Sequence, residues 1–118
     1  MTARVLIVED ESMIAMMVED YLVHAGYEVV ALVGTLDEAL SAAERCSFDV
    51  ALLDVNLAGQ TSFPVADVLE ARGIPYMFLS GYGRDTLPER LRRRYGLQKP
   101  FRMPELGRAL ERVRNPVN

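Results

Sequence analysis

A carboxylate follows one of the apolar runs of this chain, at a position where α/β proteins place their chemistry. The run of residues 48–53 ends in Asp54, and ligands of open α/β sheets bind at the carboxyl ends of the strands. Three other apolar runs end in polar residues in the same manner, in Glu9-Asp10, in Ser80 and in Lys99-Pro100. If all four runs are parallel strands, one edge of the sheet gathers three carboxylates, a hydroxyl and an ammonium.

This set of groups suits a divalent cation and a phosphoryl group. Three carboxylates held close together repel one another, and without a counter-charge one of them would be driven toward protonation. Hard oxygen ligands favour Mg²⁺, with Mn²⁺ as an alternative. The predicted metal ligands are Asp10 and Asp54, the main-chain carbonyl of Asn56, and Glu9 either directly or through a water.

Asp54 can also act as a nucleophile and form an aspartyl phosphate. Lys99 can neutralise one phosphoryl oxygen, and the hydroxyl of Ser80 can donate a hydrogen bond to another. Each residue alone has an ordinary structural explanation, as a helix cap, a turn or the end of a strand. Their common position at strand ends is what indicates a site.

The order of elements, strand then helix five times over, predicts the sheet that positions these groups. The predicted strands are residues 4–8, 29–33, 48–53, 74–79 and 96–98. They are continuous apolar runs, which is typical of a parallel sheet covered on both faces. Right-handed crossovers then favour an α/β fold with a doubly wound sheet in the order 2-1-3-4-5. In that order the first and third strands are neighbours, and Glu9, Asp10 and Asp54 meet at the switch point.

Helix signals lie between the predicted strands. Thr35 with Glu38, and Thr86 with Glu89, have the spacing of capping boxes, and the second of these predicts a short fourth helix. Gly26 and Gly73 are predicted to end the first and third helices. The third helix is predicted over residues 62–72 and the last over 103–113. The predicted inward face of the first helix consists of Ile14, Met17, Val18, Tyr21, Leu22 and Ala25.

Length and charge limit the number of domains and the kinds of partner that this chain can have. The 118 residues fit one domain over 1–118 with no output domain. A formal net charge of −4 gives no electrostatic case for nucleic acid or membrane. No apolar run is long enough to span a bilayer, and the first residues lack the pattern of a signal peptide, so we expect a cytoplasmic protein. The single cysteine, Cys46, excludes an internal disulfide.

These residues resemble the receiver domain of two-component response regulators over essentially the whole chain. The matching motifs are the acidic pair Glu9-Asp10, the aspartate after the third strand, the hydroxyl after the fourth, and Lys99-Pro100 after the fifth. The resemblance implies the flavodoxin-like receiver fold, with a cis bond before Pro100. It implies that Asp54 accepts a phosphoryl group from a histidine kinase or phosphotransfer protein with Mg²⁺. It further implies that the protein catalyses no more than this transfer and a slow hydrolysis of its own phosphoryl group.

One departure from the family pattern points to a branch. Receivers usually carry an aromatic switch residue three positions before the lysine, and this chain has Gly96 there. Tyr95 is one position earlier and should face the opposite way. Residues 78–82, Phe-Leu-Ser-Gly-Tyr, resemble the signature of the FATGUY branch, which is associated with histidine kinases of the HWE and related classes.

The output of such a domain would pass to a downstream protein partner, through dimerisation, or back into a phosphorelay. Residues of receivers that correspond to Gly81–Arg94 usually report phosphorylation, and we expect this segment to contact the partner. Its five arginines, Arg84, Arg90, Arg92, Arg93 and Arg94, form either a solvated basic face or a docking surface for an acidic partner.

The sequence argues against two rival functions and against dinucleotide binding. An aspartate-based phosphohydrolase generally needs a second carboxylate two residues after the nucleophile, and Asn56 occupies that position. A binding module without phosphorylation would not need the complete acceptor cluster. Dinucleotide binding would need a Gly-x-Gly-x-x-Gly turn, which the sequence lacks.

Overall fold

A computed structural model describes residues 2–115 and contains a five-stranded parallel sheet. The ends of the predicted domain, Met1 and residues 116–118, lie outside the described residues. The strands run in the order β2-β1-β3-β4-β5, which confirms the predicted topology. Their bounds are Arg4–Val8 (β1), Glu28–Val33 (β2), Val50–Asp54 (β3), Tyr76–Ser80 (β4) and Tyr95–Gln98 (β5). A short antiparallel hairpin, Asn56–Leu57 with Gln60–Thr61, follows β3.

Helices cover both faces of this sheet. They are Ser12–His24 (α1), Leu36–Arg45 (α2), Phe63–Arg72 (α3) and Met103–Arg114 (α4). Side chains of α2 and α3 pack in one core cluster, and those of α1 and α4 pack in a second on the other face. All five residues of β3 are buried, so the strand that ends in Asp54 lies at the centre of the molecule. Among the described residues, no helix combines the length and apolar character needed to cross a membrane.

Most predicted helix ends are present. Gly26 and Gly73 have φ values of 96° and 69°, in the left-handed region that glycine adopts most easily. The hydroxyl of Thr35 accepts a hydrogen bond from the Glu38 amide. The same hydroxyl donates its proton to the Glu38 carboxylate. The cap therefore fixes where α2 begins, directly after β2.

The predicted inward face of α1 is wrong at two positions, Met17 and Ala25, and Ala25 is exposed just after the last residue of the helix. Met17 is 54% exposed, and Ala15 is buried in its place beside Val18 and Leu22. The reason is that residues 13–18 are all apolar, so a helical period alone does not decide which of them face the core. Met13 and Met16 are exposed as well.

The predicted fourth helix is not an α-helix. Residues Arg84–Thr86 and Glu89–Arg94 form two separate 3₁₀ segments. Leu87 has the extended conformation (φ −80°, ψ 148°) that a residue before proline prefers, and it separates the two segments. Instead of capping Glu89, the Thr86 hydroxyl donates to the carbonyl of Gly83.

Gly96 is the extra residue of a bulge in β5. Tyr95 pairs with Phe78 and Leu97 pairs with Leu79, which leaves Gly96 without a partner in the register. A Cβ at Gly96 would lie 2.5 Å from Sδ of Met77, a fully buried side chain. Close packing against β4 therefore disfavours a side chain at the position where most receivers have an aromatic residue.

We expect Gly96→Ala to lower the free energy of unfolding by about 1–3 kcal/mol, because the new methyl overlaps the buried side chain of Met77 and forces it to shift. Urea unfolding measures this change. Gly83→Ala is the matched control, since a Cβ there meets nothing within 4 Å and the backbone has φ −73°. Met77→Ala should partly rescue Gly96→Ala, and equal stability of the two single glycine variants would contradict the packing argument.

Candidate functional site

Three carboxylates converge at the carboxyl edge of the sheet. Glu9 and Asp10 follow β1, and Asp54 is the last residue of the neighbouring β3. One carboxylate oxygen from each lies within 4.8 Å of the others. Glu9 and Asp54 are buried, whereas Asp10 is exposed. The topology thus brings together the acidic residues that the sequence separates by more than 40 positions.

Lys99 is the cation of this cluster. Its Nζ donates to Oε1 of Glu9 at 2.7 Å and lies 3.4 Å from Oδ2 of Asp54. It is also 3.7 Å from Oε1 of Glu11, a residue that the sequence motifs do not single out. The amide of Lys99 donates to the Ser80 carbonyl at 2.7 Å, and the Lys99–Pro100 bond is cis. One ammonium therefore faces several carboxylates.

The pKa values follow from this excess of negative charge. Burial, together with the hydrogen bond and charge of Glu9, raises the pKa of Asp54 to about 8. Burial works against the charged form of Lys99, but the hydrogen bond to Glu9 and the charge of Asp54 outweigh it and raise the pKa of Lys99. The lysine stays charged, and the cluster still lacks positive charge. A divalent cation held by carboxylate oxygens fits this deficit.

The hairpin after β3 holds Asp10. Burial alone would raise the pKa of Asp10, but the amide of Ala58 donates to its Oδ2 at 3.0 Å and the net shift is downward. The side-chain oxygen of Asn56 accepts from the Gly59 amide at 2.8 Å. Ala58 and Gly59 both have positive φ, 51° and 89°, which turns their amides inward. The sequence motifs do not reveal the Ala58 amide, although Ala58-Gly59 is recognisable as a turn.

Comparison with known proteins decides the family. The model of the response regulator receiver domain matches residues 5–111, nearly the whole chain. This chain belongs to the response regulator receiver family. The receiver domain is 44% identical to SdrG from Sphingomonas melonis Fr1, with a TM-score of 0.83 over 95% of this chain and 96% of that one.

Two longer proteins are also similar to this receiver domain. It is 33% identical to the transcriptional regulatory protein PdtaR of Mycobacterium tuberculosis, over 92% of this chain and 55% of that protein. The response regulator PhyR from Brucella abortus is 29% identical, with a TM-score of 0.80 over 97% of this chain and 48% of that one. The chain spans about half the length of PdtaR.

The receiver domain places Ser80 at the end of β4, buried at the same edge. Its Oγ accepts a hydrogen bond from the Tyr82 amide at 3.0 Å, so the hydroxyl proton is not used in this bond. Tyr82 itself is 72% exposed. This hydrogen bond connects the Ser80 side chain to the loop that leads to residues 84–94.

Tyr95 does not take the place of the missing aromatic switch of the receiver domain. It packs against the α2–α3 core cluster, whereas the hypothetical side chain of Gly96 points at Met77 in the other cluster. The two residues face opposite sides of the sheet, as the sequence predicts.

Proposed function

We propose that this receiver domain accepts a phosphoryl group on Asp54 from a histidine kinase or phosphotransfer protein. The observation that carries the proposal is the position of Asp54, the end of a buried central strand, with Glu9, Asp10 and Lys99 gathered around it. Asp54 combines a carboxylate nucleophile with a neighbouring acidic pair and the ammonium of Lys99.

In the proposed transfer, a carboxylate oxygen of Asp54 attacks the phosphorus of a phosphohistidine. The O–P bond forms as the N–P bond breaks, and the electron pair of that bond returns to the imidazole, which leaves neutral when its other nitrogen carries a proton. Glu9, Asp10, Asp54 and the main-chain carbonyl of Asn56 would hold Mg²⁺, or Mn²⁺. When bound, the ion supplies positive charge against the phosphoryl and carboxylate oxygens.

Lys99 and Ser80 act on the product. The ammonium of Lys99, 3.4 Å from Asp54, is placed to neutralise a phosphoryl oxygen of the aspartyl phosphate. The hydroxyl of Ser80 can donate its proton to another oxygen, and movement of its Oγ toward that oxygen would break the hydrogen bond from the Tyr82 amide. These two residues are thus the proposed links between phosphorylation and a change of shape.

We propose that the domain catalyses only two reactions, the transfer of a phosphoryl group onto Asp54 and the slow hydrolysis of that group. A general phosphohydrolase would need an acid/base near the nucleophile, and Asn56 cannot supply a titrating proton. Incubation with a small phosphodonor and Mg²⁺, followed by intact-mass measurement, distinguishes a phosphoacceptor domain from a general phosphohydrolase. We expect one phosphoryl group per chain and slow decay. Continuous release of phosphate over many turnovers would favour the hydrolase.

We expect Asp10→Ala to weaken Mg²⁺ binding, because it removes a hard oxygen ligand that the Ala58 amide holds in place. The loss should be about tenfold or more in affinity, measured by calorimetric titration. Asp37→Ala is the control, since Asp37 is an exposed carboxylate in the first turn of α2 and is not one of the three clustered carboxylates. Unchanged affinity in Asp10→Ala would place the ion elsewhere or make Glu9 its main contact.

The similarity to SdrG, together with Gly96 and residues 78–82, supports assignment to the FATGUY branch and a kinase of the HWE class as phosphodonor. We propose that this receiver domain acts in the cytoplasm. Its signal would pass to a protein partner through the segment Gly81–Arg94.

Activation should move that segment without rotation of a ring in β5. With a stable phosphoryl mimic bound, we expect amide exchange to change most in Gly81–Arg94, because Ser80 releases the Tyr82 amide. Hydrogen exchange with and without the mimic measures this. Ser80→Ala should keep phosphoryl acceptance and lose most of the response. If the largest changes lay in α1 or α2 instead, this route of signalling would be wrong even with Asp54 as acceptor.

A further inference from the structure

A cavity lies at the edge of the sheet opposite Asp54. It is bounded by the last turn of α1, by residues 25–27 after it and by one face of α4, and Ala3 lines it just before β1. Since β1 begins at Arg4 and β3 ends at Asp54, this cavity is at the amino edge of the parallel sheet. It measures about 440 Å³, within the range of small-molecule sites. We call it the amino-edge cavity, and the residues that define it are Tyr21, Tyr27, Gly107, Arg108, Glu111 and Arg114.

Small residues leave room for the amino-edge cavity. Ala3, Ala25 and Gly26 line it beside β1 and α1, and Gly107 lines it from inside α4. Glycine destabilises the middle of a helix relative to alanine. A Cβ at Gly107 would lie 2.8 Å from the hydroxyl oxygen of Tyr21. The glycine therefore lets this hydroxyl lie against α4, at the wall of the cavity.

Two tyrosines give the amino-edge cavity aromatic surface with polar ends. Tyr21 and Tyr27 are both half-buried. The guanidinium of Arg114 lies 5.4 Å from the centre of the Tyr27 ring, and its Nη1 donates to the Tyr27 hydroxyl at 3.3 Å. A guanidinium has several N–H donors, and this bond uses one of them. Arg114 and Tyr27 therefore hold each other in place, and Arg114 retains donors for an anion.

The charged residues of the cavity wall leave an excess of positive charge. Arg108, Glu111 and Arg114 follow one another at intervals of three along α4, so they lie on neighbouring turns. Arg108 and Glu111 are exposed, and neither forms an ion pair with any residue from 2 to 115. Two guanidinium groups against one carboxylate favour an anionic ligand over a cationic one.

The ends of two helices limit how much negative charge the amino-edge cavity accepts. α1 ends at His24 and α4 ends at Arg114, and Ala25 and Arg114 line the cavity. The carboxyl end of a helix carries partial negative charge, which opposes an anion nearby. A ligand with a single negative charge therefore fits better than a polyphosphate.

We propose that the amino-edge cavity binds a small aromatic ring that carries one negative charge. The ring would lie against the side chains of Tyr21 and Tyr27. The anion would accept hydrogen bonds from Arg108 and Arg114, because planar guanidinium groups suit carboxylates and phosphates. Two kinds of compound share this chemistry, an aromatic carboxylate and a cyclic nucleoside monophosphate. The site is separate from Asp54, so it adds a ligand to this domain rather than a step to phosphoryl transfer.

The test uses the unphosphorylated chain and two probes, para-hydroxybenzoate for the carboxylate and cyclic AMP for the phosphodiester. We expect at least one of them to bind with a Kd of roughly 1 mM or lower, as small ligands do. NMR titration should shift the amides of residues 25–27 and 107–114 most. The probe that binds more tightly identifies the anion as carboxylate or phosphodiester. The neutral counterparts, para-hydroxybenzyl alcohol and adenosine, should bind more weakly by about tenfold or more.

Variants that change the charge of α4 test which residues hold the anion. The double variant Arg108→Glu with Arg114→Glu should weaken binding of the anionic probes by about tenfold or more. Arg45→Glu changes an exposed arginine at the end of α2 and should not weaken it beyond about twofold. Glu111→Gln removes the competing negative charge, so affinity should rise severalfold. Misfolding cannot produce such a gain.

Several results would overturn the proposal. They are a Kd above roughly 1 mM for both probes, shifts centred outside residues 25–27 and 107–114, and equal affinity for charged and neutral compounds. Equal affinity of the double variant and wild type would do the same. Inorganic phosphate that bound as tightly as the probes would remove the role of the ring. Closure of the cavity by a second copy of the chain, seen as concentration-dependent shifts of the same amides without ligand, would also overturn the proposal.

Probe binding is independent of the phosphoryl acceptor. Asp54→Asn should bind the probes like wild type, because Asp54 lies at the other edge of the sheet. The titration needs neither phosphodonor nor Mg²⁺, so its failure leaves phosphoryl acceptance by Asp54 untouched. Conversely, loss of phosphoryl acceptance with intact probe binding would reject the proposed function and leave the amino-edge cavity as a ligand site.

Discussion

Replacing Asp54 with asparagine should abolish the mass increase that a small phosphodonor and Mg²⁺ produce in the wild-type chain. Asparagine has nearly the same shape, so the buried end of β3 stays filled, but its amide cannot attack phosphorus as a carboxylate does. The same change removes one of the three carboxylates that define the metal site. We therefore expect no detectable adduct by intact mass.

Two controls make this result specific. Asp37→Asn changes an exposed carboxylate on α2 and should accept phosphate like wild type. His24, exposed in the last turn of α1, is another side chain that forms phosphoryl adducts. If Asp54→Asn kept its adduct and Asp54→Asn with His24→Ala lost it, the acceptor would be the histidine and the proposed function would be wrong.

The site was predictable from the sequence because its geometry depends on strand ends. A parallel sheet forces the residues after β1, β3, β4 and β5 onto one edge, whatever the details of the loops. Continuous apolar runs located those ends to within two residues. The sequence could not tell which carboxylate pairs with Lys99. The ammonium of Lys99 contacts Glu9, 90 positions earlier in the chain, at 2.7 Å. Whether Lys99 lies closer to Glu9 or to Asp54 depends on how far each side chain reaches.

Two regions of the fold were predicted wrongly for local reasons. Between Gly83 and Arg94, a capping-box spacing at Thr86 predicts a helix, but Leu87 takes the extended conformation that residues before proline prefer, and two 3₁₀ segments form instead. In α1, adjacent apolar residues hide the inward face, so the helical period predicts a buried Met17 although this side chain is exposed. Both errors lie outside the strand ends and leave the site unaffected.

Without a divalent cation, Asp54 should make the folded domain less stable as pH rises. Its pKa is about 8 in the folded state against 3.8 for an unperturbed aspartate. Between these values the folded state holds a proton that the unfolded state has lost. The free energy of unfolding therefore falls with rising pH, by up to about 1.4 kcal/mol per pH unit from this group. The loss is complete only above the folded pKa.

Asp54→Asn has no such proton, so in EDTA it should be more stable than wild type by about 1–4 kcal/mol at pH 8. The difference should shrink toward pH 4. Urea unfolding of both proteins across this range measures it, with Asp37→Asn as a variant that should follow wild type. Comparing variants cancels the titration of groups that do not interact with Asp54.

Added Mg²⁺ should reverse the order of stability. The ion binds the folded carboxylates and stabilises wild type by mass action, while its charge favours the ionised form of Asp54 and removes the penalty. Asp54→Asn lacks one ligand and should gain less. If wild type and Asp54→Asn instead showed parallel stability profiles in EDTA, Asp54 would titrate normally, and the crowding of Glu9 and Asp54 around a single lysine would not be the source of the cluster's affinity for a cation.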